Sequence, residues 1–264
     1  LTHKYWGQNQ ENFMANIKIS VINQTTCVTD VQAQPVVAAM QVQVHRDFAP
    51  AWGIDADLTF VPKGQTPDSM HWWLVLLDDS DTAGALGYHE LTPAGLPIGK
   101  VFCKTDLKYG LEWSVTASHE LLEMLGDPEI NLTVFLQTTN TTGYLYAFEN
   151  CDAVEDDKFG YQIDNVLMSD FVLPAYFQRS MPGNKWDFGG HLQGPYPTML
   201  PGGYLSQFPV NIPNAQQGWS QIQAQRMITE AHGPDRTGRT NPGARKLKRA
   251  VDRSTWKTST VTTF

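Results

Sequence analysis

Residues 114–128 read Ser-Val-Thr-Ala-Ser-His-Glu-Leu-Leu-Glu-Met-Leu-Gly-Asp-Pro, and the His119-Glu120-x-x-Glu123 inside them is the stretch best equipped for chemistry. On a helix, residues four apart project from one face, so the imidazole of His119 and the carboxylate of Glu123 can grip a single ion. Glu120 points about 100° away around the axis. From there it can serve as general base toward a water that the ion activates. The apolar neighbours Leu121, Leu122, Met124 and Leu125 would bury the helix and hold the two donors in register.

A catalytic zinc takes about three protein donors and keeps one position open. The third donor must therefore come from outside the helix. Asp152 and Glu149, in Glu149-Asn150-Cys151-Asp152 just after an expected strand, are the leading candidates. Glu129 follows the helix stop at Asp127-Pro128 and ranks behind them. His191, in Gly189-Gly190-His191, ranks last. A carboxylate at position 123 makes the site harder than one built on two imidazoles. Zinc remains the expected ion, with calcium or manganese more competitive.

The elements that must position these groups can be read from pattern. Ile17, Ile19 and Val21 alternate with polar residues and predict a first strand over 16–23. Pro35 is expected to open a helix through Val36, Val37, Met40, Val44 and Phe48 that ends before Pro50 and Gly53. Strands are expected at 57–62, 72–77, 86–91 and 99–104. The almost unbroken apolar run Trp72–Leu77 marks the strand buried on both faces. The motif helix should run over 111–125, closed by Gly126 and stopped by Pro128. Beyond it, short strands are expected at 132–136 and 144–148, with a hairpin over 159–168 turning at Asp164-Asn165.

With its second histidine replaced by Glu123, the motif resembles the His-Glu-x-x-His helix of zincin metallopeptidases. The order strand, helix, four strands, motif helix is similar to the amino-terminal half of metzincins in particular. The resemblance covers roughly residues 15–130. It implies an α/β fold: a zincin-like mixed sheet with a backing helix and an active-site helix, followed here by an irregular β-rich C-terminal part. It also implies that segment 85–104 supplies an antiparallel edge strand lining the cleft. Metzincins resemble His-Glu-x-x-His-x-x-Gly-x-x-His, which places Gly126 at their glycine and Glu129 at their last histidine. Gluzincins draw a later carboxylate onto the metal, which favours Asp152 and Glu149.

Four regions follow: an N-terminal extension over 1–14, a metal-binding domain over 15–178, a Gly/Pro/aromatic-rich cap over 179–231 and a basic, extended tail over 232–264. Residues 226–264 hold nine of the nineteen Lys and Arg but three of the twenty-seven acids. An acidic body suits cation binding and argues against a nucleic-acid-binding core, while the tail could engage protein assembly partners. No apolar run is long enough to cross a membrane. With no apolar leader and an odd count of three cysteines, a cytoplasmic or virion location is expected. The Asn-x-Thr triplets at Asn23, Asn131 and Asn140 are then incidental.

Other clusters have structural readings. His89-Glu90 lacks a helical clamp because Pro93 occupies the +4 position. Asp78-Asp79-Ser80-Asp81 lacks the Gly and distal Glu of a calcium loop and reads as a turn. Cys103 and Cys151 read as small buried hydrophobes. The leading expectation is a metal-dependent peptidase acting on peptide or protein substrates. Glu120 is its base, an edge strand around 85–91 holds the substrate, and Tyr161, Tyr176 or Tyr204 supports the oxyanion. The alternative is a non-catalytic structural or interaction protein derived from that fold, such as a phage or virus particle component.

Overall fold

A computed structural model describes residues 17–82, 85–139, 141–178 and 185–211. The expected N-terminal extension, the basic tail and the ends of the cap lie outside the described residues.

Alternating apolar residues form β1 (Ile17–Asn23), which pairs in parallel with β2 (Ala56–Val61) on one side and β3 (Trp72–Leu77) on the other. Next to β3 lies β5 (Pro97–Phe102), also parallel, and β4 (Gly87–Leu91) runs antiparallel along the margin. The order β2-β1-β3-β5-β4 makes a mixed sheet, and the chain a mixed α/β protein. In β3, Leu74 and Leu76 join the main core while Val75 packs in a separate cluster with Ile22 and Val61. The central strand is thus buried from both faces, as its unbroken apolar run requires.

The backing helix α1 (Asp30–Val42) starts earlier than the proline suggests. Thr29 and Gln32 form a reciprocal capping box, which satisfies the first amides and fixes the start ahead of Pro35. The helix then widens into a π-type turn over Gln43–Phe48 and continues as α2 (Ala49–Trp52). Pro50 falls in the first turn of α2, where a missing N–H is tolerated, so it does not end the helix. Gly53, at φ +69°, does. Residues 103–104, expected to close the fifth strand, instead open a short helix, α3 (Cys103–Tyr109).

The motif helix α4 (Trp113–Gly126) is buried at every position from Ser114 to Leu125. Its residues Ala117, Leu121, Leu122, Met124 and Leu125 share one core with Ile19, Val21, Leu74, Leu76 and Val101 of the sheet and Val36, Val37 and Met40 of α1. Ser118 Oγ accepts from Ser169 N at 2.7 Å, tying α4 to the chain just after β9.

After α4, β6 (Thr133–Gln137) and β7 (Thr142–Ala147) pair antiparallel, and β10 (Gln207–Asn211) adds to β7. A hairpin of β8 (Tyr161–Ile163) and β9 (Val166–Met168) turns at Asp164 and Asn165, both at positive φ as an Asp-Asn turn allows. The one-turn helix α5 (Pro174–Phe177) carries Tyr176 into a second core with Tyr146, Leu192 and Tyr196.

Candidate metal centre

Helical spacing brings His119 and Glu123 together: Nε2 of His119 lies 3.0 Å from Oε2 of Glu123. The other oxygen, Oε1, accepts from the amide of Cys151 at 3.2 Å, which orients the carboxylate toward the imidazole. Asp152 approaches the same nitrogen, with Oδ1 3.4 Å from His119 Nε2. His119, Glu123 and Asp152 are at most 1% exposed.

Loop 149–154 is held in place by hydrogen bonds that no local pattern announces. Asn150 Nδ2 donates to the Leu122 carbonyl of α4 at 2.9 Å, and its own carbonyl accepts from Val172 N at 2.7 Å. The Asp152 carbonyl accepts from Tyr204 N at 2.9 Å. Gly126 makes this approach possible, because a Cβ there would stand 2.5 Å from Asn150 Nδ2. Its role is close packing rather than the left-handed helix stop that sequence suggests.

Glu120 lies under the sheet margin. A Cβ at Gly87 of β4 would stand 2.8 Å from Glu120 Cγ, and one at Gly99 of β5 would stand 3.8 Å from Glu120 Cβ. Two glycines thus open room for a buried carboxyl against the strands. His89 of β4 also faces it, with Nδ1 3.9 Å from Glu120 Oε2. The Asp127 carbonyl can only accept, so His89 Nε2, at 3.0 Å from it, carries a proton.

Two donor sets intersect at Glu123. In each, ligand atoms lie within 4.8 Å of one another: His119, Glu123 and Cys151 in one, His89, Glu123 and Glu149 in the other. Glu149 therefore lies in the neighbourhood of Glu123 and His89. Sequence gives His89 and Cys151 structural readings; the β4–β5 pairing and loop 149–154 are what bring them in. The one available signal for His89 was its two-residue offset from Gly87, which puts both on one strand face. Burial pushes the Cys151 thiol well above its ordinary range, and the charges of Glu123 and Asp152 add to this.

Two other candidates lie elsewhere. Glu129 is exposed and accepts from Asn131 Nδ2 at 2.8 Å, because the chain turns outward after Asp127. His191 sits with Asp170 and Asp187. Asp170 is pushed up to about 8 by burial and then by the neighbouring Asp187 carboxyl. Tyr161 and Tyr176 do not offer hydroxyls as oxyanion donors: Tyr161 donates to Asp47 at 2.9 Å and Tyr176 to the Thr198 carbonyl at 2.5 Å. The acids of 78–81 have separate partners, Asp78 on Thr25 and Thr26, Asp79 on Lys104, and Asp81 on Tyr88 and Lys100. Among the described residues no helix is long and apolar enough to cross a membrane.

No protein family, curated protein or solved structure matches the chain.

Proposed function

We propose that the chain is a metal-dependent peptidase of zincin type. His119, Glu123 and Asp152 hold a divalent ion, zinc first, and Glu120 is the general base. The observation that carries this reading is the pair of carboxylate oxygens 3.0 and 3.4 Å from one imidazole nitrogen. Donors at about 2.0–2.2 Å from a tetrahedral zinc stand roughly 3.3–3.5 Å apart, a separation that the 3.4 Å spacing matches and that the 3.0 Å spacing reaches by opening a few tenths of an ångström. Burying carboxylates costs several kcal/mol per charge unless a cation offsets it, and the donors here are buried. Glu149 and His89 lie within reach of Glu123 for a larger or second-choice ion such as manganese or calcium.

A bound ion supplies a Lewis acid that polarises a carbonyl and lowers the pKa of water. The chain's own residues do the rest. Glu120, seated against Gly87 and Gly99, takes the proton from the attacking water. His89 stands beside that carboxylate and is fixed by the Asp127 carbonyl. Among the described residues β4 pairs with β5 alone, so its outer edge can take a substrate as an added strand. The antiparallel margin beside the motif helix agrees with the zincin resemblance of the motif.

The test is metal content and peptide hydrolysis measured together on the wild type, His119→Ala and Glu120→Gln. His119→Ala is expected to lose the metal, and Glu120→Gln to keep it and lose hydrolysis. Full hydrolysis by Glu120→Gln overturns the assignment of the base. One observation favours a second reading, a non-catalytic structural or interaction protein on the same frame: His119 and Glu120 are 0% exposed. A wild type that holds one firmly bound ion and cleaves no peptide selects that reading.

A further inference from the structure

A second cluster shares no donor with the helix site. The segment after β9 pairs antiparallel with residues 186–188: Val172 bridges Asp187, Leu173 N donates to the Trp186 carbonyl, and Phe188 N donates to the Phe171 carbonyl, the last two at 2.8 Å. This pairing sets the carboxyls of Asp170 and Asp187 side by side, 1% and 0% exposed. The turn through Gly189 and Gly190, the latter at φ +78°, then folds His191 back over them. A Cβ at Gly189 would stand 2.4 Å from His191 Nδ1 and 2.7 Å from Asp170 Oδ2, so only glycine leaves this space open.

Backbone amides orient both carboxyls. Asp170 Oδ1 accepts from Phe171 N and Gly189 N, each at 2.8 Å. Asp187 Oδ1 accepts from Leu192 N at 3.0 Å, and its Oδ2 accepts from His191 N at 2.7 Å. The Oδ2 atoms of both acids then face His191 Nδ1, each 3.4 Å away. That is long for a charge-assisted hydrogen bond, which closes to about 2.7–2.9 Å. It equals the donor–donor separation of roughly 3.3–3.5 Å in a tetrahedral site with bonds of about 2.0–2.1 Å.

We propose that Asp170, Asp187 and His191 form a second cation site, for a divalent transition ion such as zinc or manganese. Two buried carboxyls in contact repel each other when both are charged, and a divalent ion offsets both. The imidazole donor selects against calcium and magnesium. The His191 side chain is 42% exposed, so the ion is reached from solvent. Bound there, it fastens residues 185–192 to the chain following β9.

The test uses the full chain, stripped with chelator, loaded with Zn2+ alone, dialysed and assayed for bound zinc. His191→Ala, a change at a half-exposed side chain that should leave the fold intact, is expected to hold one equivalent less than the wild type. Asp170→Asn is expected to show the same loss. Protease digestion should cut more readily around 185–192 in both variants, with the wild type protected only when zinc is present. His191→Ala that folds as judged by circular dichroism and retains wild-type zinc overturns the site.

Discussion

Glu120 Oε2 stands 3.9 Å from Nδ1 of His89, an imidazole already committed through its Nε2 proton to the Asp127 carbonyl. The carbonyl fixes the tautomer and leaves Nδ1 as the ring atom that faces the Glu120 carboxylate. His89→Gln is expected to lower peptide hydrolysis by about 10–100-fold, the usual cost of losing a group that orients a metal-site residue. The pH–rate profile should change shape as well as height. An unchanged profile with a uniformly lower rate would mean that His89 acts through packing alone.

Glu120 should separate from His119 and Glu123 in mutagenesis. Glu120→Gln should lower turnover by about 10²–10⁴-fold, the range for a lost general base, while bound metal stays at the wild-type level. Glu123→Gln should reduce both together, since Glu123 contacts His119 and the Cys151 amide. Elemental analysis alongside a peptide-cleavage assay reads both quantities on the same sample.

The sheet margin tolerates no side chain over Glu120. Gly87→Ala would bring a Cβ to 2.8 Å from Glu120 Cγ and 2.9 Å from the Lys100 carbonyl, part of the β4–β5 ladder. Overpacking of this kind costs about 1–3 kcal/mol, read as a lower urea midpoint. Gly95→Ala is the control: φ there is +80° but nothing lies within 4 Å, so about 1 kcal/mol of backbone strain is expected. Equal midpoints for the two variants would contradict the close approach of Glu120 to β4.

Asp170 gives the metal-free chain a pH dependence of definite sign. Asp187 and His191 face its carboxyl, and its charge is felt by Tyr161 and Cys151. Its folded value, pushed up to about 8, lies above the ~3.9 of an unfolded aspartate. Between these values the folded chain holds a proton that the unfolded chain has released. The stability this proton confers is complete below about pH 4 and is lost as pH rises through about 8. Denaturation midpoints with chelator present should therefore fall from pH 5 to pH 8, and Asp170→Asn should flatten that part of the curve.

Local pattern determined a good deal by itself. The apolar run Trp72–Leu77 forms the central strand, and Asp164-Asn165 turns the hairpin. His119 and Glu123 meet on one helix face because one turn of helix spans four residues. Each of these depends on neighbours a few positions away, where spacing and backbone preference decide the outcome. The start of α1 was equally local, since Thr29 and Gln32 form the capping box, yet Pro35 is the louder signal. Which distant side chains join the site was decided by tertiary structure. Asp152 approaches His119 because Asn150 docks on the Leu122 carbonyl beside Gly126, whereas Glu129 turns outward. His89 reaches Glu120 through the β4–β5 register, and His191 meets Asp170 and Asp187 through the pairing of residues 171–173 with 186–188. These contacts follow from strand registers and loop docking set by burial of the common core, and no short spacing in the chain encodes them.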